Sequence, residues 1–483
     1  MTSVHDKRYI YVYDVGSTYT KLALFEKTGE RLAFLGRSQA PTTLKNITVG
    51  LSNARYHLAP IAAGEVPHEI YASSSAAGGL RMVAMGYMPR VTAKAAKEVA
   101  MNAGARVLEI VSHEDPDEYK VQVLREINPD IILLAGGTDG GDEDSLLENA
   151  RVITASRVKA VVIIAGNIAA QPKVEAVLKS NHVQCIRVPN VMPTIHELRV
   201  KPARQAIHEQ FIRQITKAQG LHKLLEVVSD GRVTPTPGAV LLGAELLALG
   251  TPNQEGTGDL VVVDVGGATT DVHSILPSLG AIPDEEKGLV VHNEKQTSYR
   301  TVEGNLGLRV SAKGIVETVG LKRLLEKVNL AGEAYEERLL AYANHLEENP
   351  DHVAGNEEEE LFDEALAVAA VEVALKRHAG FIAQEHDPVM GIVPGTPVGR
   401  DLRKVKKVIA VGGIFAHSQP ARAERIIRKA LEKTGFSLLP TEPEIVIDRN
   451  YLLYATGILA GVYPEEMLSL AKTIYSRRGE VAP

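Results

Sequence analysis

Two short segments carry residues that could do chemistry together. Asp14–Thr20 reads DVGSTYT and Asp264–Thr270 reads DVGGATT, sharing Asp, Val, Gly and Thr without a gap. Each follows an apolar run (YIYVY and LVVV) and precedes a second one (KLALF and DVHSI). A strand, an aspartate, a glycine turn and a returning strand make a phosphate-binding hairpin. Glycines let the backbone approach, turn N–H groups and hydroxyls donate to phosphate oxygens, and the carboxylate holds Mg²⁺ directly or through water. One copy alone could be a plain Asx-type turn. Two copies in matched strand contexts point to a duplicated architecture, whose paired hairpins would clamp a phosphate. The candidates are Asp14 and Asp264 for metal and phosphate, Gly16, Gly266 and Gly267 for the backbone, and Ser17, Thr18, Thr269 and Thr270 for hydroxyl donors. Lys21 opens the returning strand of the first copy and can reach a phosphate, a solvated lysine being the alternative.

A third element is Val408–Ser418, VIAVGGIFAHS, where a strand ends in two glycines and enters a helix. Such a junction brings bare backbone against a flat group such as adenine and ribose, which nominates Gly412, Gly413 and Phe415. IILLAGGTDGG (Ile131–Gly141) and VVIIAGNIAA (Val161–Ala170) have the same shape, but they fall where turn glycines are expected anyway. Asp271 directly follows the second turn and is a candidate for positioning a water. Glu303, in EGNLG, is a candidate base or sensor, with a loop or helix-capping role as the alternative. His196, His273 and His292 have no ligand spacing and read as ordinary surface or loop histidines. The acidic run Glu357–Glu360 reads as a solvated helix face, and Cys185 reads as a core residue rather than a nucleophile.

The elements that must position these residues follow from periodicity. Tyr9–Val15, Leu22–Phe25 and Arg31–Leu35 read as strands, with Thr28-Gly29-Glu30 at a hairpin turn. Asn46–His57 has helical spacing and Glu69–Ser73 reads as a buried strand. Beyond Gly79, apolar runs at Arg106–Val111, Asp130–Ala135, Ala160–Ala165 and Val183–Val188 alternate with amphipathic stretches, which is the pattern of a doubly wound parallel sheet. Ala203–Val228 reads as a charged surface helix or linker, and Glu333–Glu359 as exposed. Pro235–Gly250 and Tyr451–Gly461 are helices rich in small residues. Asp259–Val265 and the run through Ser274, Leu361–His378, Val405–Val411 and Ala421–Lys433 complete the reading.

Composition bounds the function classes. The chain has 483 residues, 53 basic against 60 acidic, so its net charge of −7 argues against a nucleic-acid partner. One cysteine excludes a disulfide framework or multi-cysteine metal site within the chain. No apolar run is long enough to span a membrane, and the polar start shows no signal segment, so the expected location is cytoplasmic.

Taken together, DVGST…K, DVGGATTD and VGGIF resemble the two phosphate motifs and the adenosine motif of the actin, sugar kinase and heat-shock ATPase superfamily. That resemblance implies two ribonuclease-H-like lobes closing over ATP, with Pro235–Gly250 and Tyr451–Gly461 as connecting helices. Their Gly243, Ala244, Ala455, Gly457 and Ala460 would let the helices cross closely. ASSSAAGGLRM (Ala72–Met82), IILLAGGTDGG, AGNIAAQ (Ala165–Gln171) and TVEGNLGLR (Thr301–Arg309) narrow it to a resemblance to the MutL family. The name there belongs to an accessory protein of adenosylcobalamin-dependent glutamate mutase, unrelated to mismatch repair. The implied architecture is an α/β fold of two such lobes with an inserted doubly wound βα unit. The first lobe would occupy 1–80, completed by 229–257 and a C-terminal helix at 451–475; the insert would take 81–228 and the second lobe 258–450. The implied activity is ATP hydrolysis with ATP and Mg²⁺ as cofactors, acting as a reactivase or chaperone for an adenosylcobalamin-dependent mutase. A small-molecule kinase on the same fold and a hydantoinase- or oxoprolinase-like amidohydrolase remain open, and a purely non-catalytic binding protein would need degraded phosphate motifs.

Overall fold

The first strand shows why its segment sits at the centre of a sheet. β1 (Lys7–Val15) is buried continuously from Ile10 to Val15, as a strand covered on both faces must be. The computed structural model describes residues 7–16, 19–43, 46–62, 67–75, 81–86, 106–194, 199–215, 221–277, 297–386, 392–432 and 435–476. β2 (Tyr19–Thr28) returns antiparallel to β1, with Asp14 opposite Lys21. Gly29, at φ +59°, opens the two-residue turn to β3 (Arg31–Pro41), as its sequence position suggested. The helix Ile47–Ala62 leads to β4 (Glu69–Ser74), parallel to β1 with Ser73 beside Asp14.

The chain then leaves this sheet to build a second one. β5 (Arg81–Gly86), β6 (Arg106–Ser112), β7 (Ile131–Leu134), β8 (Val161–Ile164) and β9 (Cys185–Arg187) are all parallel, in the order β6-β5-β7-β8-β9. This is the doubly wound insert. Its alternate residues separate cleanly: Val83, Met85, Ile132, Leu134, Val162 and Ile164 pack with the helices Asp117–Ile127, Asp144–Ser156 and Gln171–Ser180. Met82, Ala84, Ile131, Leu133 and Ile163 join Tyr11, Val15, Leu22 and Leu24 in one continuous core. The helices Val200–Ile215 and Leu221–Val227 bury Ala203, Ala206, Ile207 and Leu224 in that same core, so this stretch is a packed layer rather than a surface linker. β10 (Val233–Pro235) finally rejoins the first sheet beside β4.

The second unit repeats the plan. β11 (Leu260–Val265), β12 (Thr270–Ile275) and β13 (Ser298–Glu303) are successive antiparallel neighbours. A helical layer follows, including Glu333–Glu348 and Glu357–His378, then a two-stranded ribbon of β14 (Phe381–Ile382) and β15 (Pro397–Val398). β16 (Lys407–Val411) and β17 (Glu444–Ile447) lie parallel to β11 on its other side. The sheets read β3-β2-β1-β4-β10 and β13-β12-β11-β16-β17. Each therefore has its first three strands antiparallel and its last two parallel to the first, the order of a ribonuclease-H-like lobe. The expected α/β fold, two such lobes with an inserted parallel βα unit, is the one present.

Two expectations about organisation change. The chain divides into compact units between Ala239 and Val240, inside the helix Thr236–Leu249, and the insert does not separate because it shares the first sheet's core. The C-terminal helices Leu453–Ala460 and Pro464–Ile474 belong with the second unit, not the first. Lys407 Nζ donates to Tyr475 O, and the Tyr475 hydroxyl donates to Asp448, which tie them to the second sheet. Glu333–Glu348 is a helix burying Leu339, Tyr342, Ala343 and Leu346 rather than an exposed stretch. The close crossing of small residues is present within the second unit: a methyl added at Gly243 would strike Leu453 O and lie 3.1 Å from Gly457 N.

Candidate functional site

The two hairpins are built alike down to the closing bond. Gly16 N donates to Tyr19 O at 3.0 Å, and Gly266 N donates to Thr269 O at 2.9 Å. At Gly16 a Cβ would sit 2.8 Å from Tyr19 O, so this turn needs glycine. Asp14 stands opposite Lys21 and Asp264 opposite Asp271, the same register in each copy. The equivalent positions carry opposite charge, and the surroundings follow from that.

In the first hairpin Asp14 is only 2% exposed and is fully engaged. Lys21 Nζ lies 3.1 Å from Oδ2, while Ser73 Oγ and Thr236 Oγ1 donate to Oδ1 at 2.9 and 2.6 Å. A buried carboxylate needs such partners, because leaving it uncompensated costs several kcal/mol. In the second hairpin Asp271 cannot pair with its neighbour across the ladder, so Arg300 on β13 neutralises it. Arg300 Nε donates to Asp271 Oδ1 at 2.9 Å, a second guanidinium nitrogen donates to the same oxygen, and Thr269 Oγ1 donates to Oδ2 at 3.0 Å.

The second turn is held from behind by the segment after β13. Leu308 N donates to Gly266 O, Arg309 N and Val310 N donate to Gly267 O, and Ser311 Oγ donates to Ala268 O. Thr270 Oγ1 donates to Leu306 O, and a methyl on Gly307 would collide with the Ala268 backbone. Arg309 is fixed in turn by a two-pronged pair with Asp363. The turn carbonyls are thus consumed, while the N–H groups of Gly267, Ala268 and Thr269 have no acceptor among the described residues. Turn N–H groups without acceptors beside a strand-end carboxylate form a donor set suited to phosphate oxygens and a divalent cation. Gly412, at φ +126°, packs on the end of β11 so closely that a side chain there would strike Val265 O, and Gly413 faces the Tyr451 hydroxyl.

Not every candidate joins this arrangement. Asp14, Gly16 and Lys21 share the first hairpin; Asp264, Gly266, Gly267, Thr269, Thr270 and Asp271 share the second. Ser17, Thr18, His196 and His292 lie outside the described residues. The hydroxyl protons of Thr269 and Thr270 are committed to Asp271 and Leu306 O, so these threonines shape the turn. Glu303 pairs across the ladder with Thr270, and so lies on the sheet face opposite Asp264 and Asp271, bound to Arg377. Period-two alternation, invisible from motif spacing alone, puts it there. Phe415 is completely buried in the second unit's core, so its ring packs there instead of meeting a ligand. In Ile131–Gly141 and Val161–Ala170, Gly137 and Gly166 serve loop packing, since a methyl on either would strike the backbone of Asp142 or Gly136, and Gly140, at φ +78° in open space, serves the turn itself. Cys185 is half-buried on the edge strand β9, and burial pushes its thiol upward, away from reactivity.

Ser73, Thr236 and Arg300 are site residues that motif reading missed. Ser73 sits in the quoted ASSSAAGGLRM segment, but only the parallel register of β1 and β4 shows that it faces Asp14. Among the described residues, no helix is long and apolar enough to cross a membrane, and no three or more His, Cys, Asp or Glu side chains come together as a metal site, at the hairpins or elsewhere.

The comparisons with known proteins cover the whole of this arrangement. A protein-family model described as MutL protein matches residues 10–475. The Protein MutL of Clostridium tetanomorphum is 38% identical over 465 residues, spanning 95% of this chain and 97% of that relative. Among solved structures, a gluconate kinase from Lactobacillus acidophilus is 13% identical over 99% of this chain and 100% of its own, with a TM-score of 0.27. A ROK hexokinase from Thermus thermophilus is 11% identical over 96% of this chain and 98% of its own, with a TM-score of 0.26. At such scores these two likenesses are remote.

Proposed function

The chain belongs to the MutL family, and from that premise we propose that it is an ATP-binding and ATP-hydrolysing accessory protein of an adenosylcobalamin-dependent mutase of the glutamate mutase or aminomutase kind. The observation that carries the nucleotide half of this reading is the duplicated hairpin, with the same closing bond and register in two sheets of the same order. Asp264 suits Mg²⁺, Lys21 and the Gly16 turn of the first hairpin and the Gly266–Thr269 turn of the second suit phosphate oxygens, and Gly412-Gly413 offers bare backbone to a nucleoside. Asp14, whose two oxygens are taken by Lys21, Ser73 and Thr236, orients Lys21 rather than a metal. Bound Mg²⁺ would offset phosphate charge and polarise the terminal phosphoryl group. The chain's own part is positional. Lys21 and the turn N–H groups stabilise charge on oxygen, and Asp271, immobilised by Arg300, orients a water through its carboxylate. The mutase half rests on family membership, and its content is the replacement of damaged cobalamin in an inactivated mutase.

The test is reactivation. Inactivated glutamate mutase, incubated with this protein, Mg·ATP and fresh adenosylcobalamin, is expected to regain activity only when all three are present. Recovery that proceeds equally without ATP, or with the Asp264→Asn variant, would dismiss the ATP-driven reactivase.

A further inference from the structure

Asp14 is held from three directions, and the third partner is not part of the hairpin. Lys21 reaches it across the antiparallel ladder and Ser73 across the parallel one. Thr236 comes from the far end of the unit, immediately after β10, as the first residue of the helix Thr236–Leu249. Its hydroxyl donates to Asp14 Oδ1 at 2.6 Å, the shortest of the three contacts. A hydrogen bond to a buried ionised carboxylate is among the stronger ones a neutral side chain can make.

The second unit supplies an internal control. By register, the counterparts of Lys21 and Ser73 around Asp264 are Asp271 and Val411. Valine has no donor, and Asp271 is taken by Arg300. The ammonium of Lys21 and the hydroxyl of Ser73 therefore have no equivalent at the matching register positions of the second copy. Asp14 uses both oxygens on these partners, Oδ2 on Lys21 and Oδ1 on the hydroxyls. Rotation of the carboxylate would loosen all three contacts at once.

We propose that Thr236 is a positioning residue of the first phosphate hairpin, fixing the Asp14 carboxylate so that Asp14 in turn presents Lys21 to a bound phosphate. Because Thr236 begins the helix that carries the chain into the second unit, the same hydroxyl ties that helix's first turn to the hairpin. This deepens the ATP-binding reading and rests on it for the phosphate, whereas the tie between helix and hairpin stands without nucleotide.

Two measurements on the full chain separate these claims: Mg·ATP affinity by calorimetry, and amide hydrogen exchange over the first turn of Thr236–Leu249 without nucleotide. Thr236→Val, close to isosteric but without the hydroxyl, is expected to weaken Mg·ATP binding by roughly tenfold or more. It should also accelerate exchange in that first turn, and Thr236→Ser should restore both. Ser73→Ala removes the companion donor and should act in the same direction, which keeps the test decisive if Thr236→Val folds poorly. Valine and serine variants that match the wild type in both measurements overturn the proposal. If the wild type itself binds no Mg·ATP, the nucleotide reading fails, and the exchange comparison still judges Thr236 as the tie.

Discussion

Replacing Gly307 by alanine is expected to be among the most damaging single-methyl changes in the second unit. The added Cβ would fall within 2.5 Å of Gly267 O and closer still to the Ala268 backbone, where no side chain can swing aside. Overpacking of this kind costs about 1–3 kcal/mol when the surroundings must shift. Here the shift would draw the 306–311 segment off the turn, straining the bonds from Leu308, Arg309 and Val310 to Gly266 and Gly267. Loss of one or two of them adds about 1 kcal/mol each, giving about 2–5 kcal/mol together. With a urea slope of about 1–3 kcal/mol per molar, the second unit's unfolding midpoint should fall by about 1 M or more. The assay is urea unfolding followed by circular dichroism, with Gly355→Ala as the matched control. Gly355 is exposed, and its nearest neighbour would be the flexible Glu359 carboxylate at 3.8 Å, so that variant should unfold like the wild type. Equal midpoints for Gly307→Ala and Gly355→Ala would refute the idea that this segment is the rigid backing of the phosphate turn.

Arg300→Met should destabilise the second unit by about 3–5 kcal/mol, since it strands the buried Asp271 carboxylate, and adding Asp271→Asn should recover part of the loss in a double-mutant cycle. His273, expected at the surface but placed inside the fully buried strand β12, and His378 are both buried, and burial holds both well below the usual imidazole range. Their stabilising share is present above the unfolded value near 6.5 and is lost as pH falls below it, so stability measured by denaturant should drop from about pH 6.5 downward. His273→Leu should flatten that slope without lowering stability at pH 8, because neither ring nitrogen has a hydrogen-bond partner among the described residues. Gly243→Ala should lower the thermal midpoint by forcing Thr236–Leu249 off Leu453–Ala460, while Gly238→Ala on the same helix, with only Pro235 Cβ at 3.9 Å, should leave it unchanged or raise it.

What the sequence made legible was whatever repeats. The two DVG segments announced two hairpins, and the sheets around them share one strand order. Long apolar runs such as Tyr9–Val15 and Asp259–Val265 located central strands because both faces are buried. Some short or mixed strands escaped notice, although the equally short β7, β8 and β9 are legible because they recur between amphipathic stretches. β10 and β17 have three and four residues, β13 reads SYRTVE, and β5 (RMVAMG) has a single β-branched residue, so none gives a strong periodic signal. The site was legible as far as its backbone and its two leading aspartates. Facing was not: Glu303 lies one residue out of phase with Asp264's face, and Phe415 turns inward after Gly412-Gly413. Nor could spacing show that Thr236 returns to Asp14, since a contact across more than two hundred residues is set by the insertion of β5–β9 between β4 and β10.

The most direct test of the account is a calorimetric titration of Mg·ATP into the full-length protein and into its Asp264→Asn variant. Saturable binding that requires Mg²⁺ and is lost in the variant is the expected result, because Asp264 ends its strand beside the Gly266–Thr269 turn, where the proposed reading puts the cation. Absence of heat in the wild type at millimolar nucleotide, or equal binding by the two proteins with and without Mg²⁺, would contradict it.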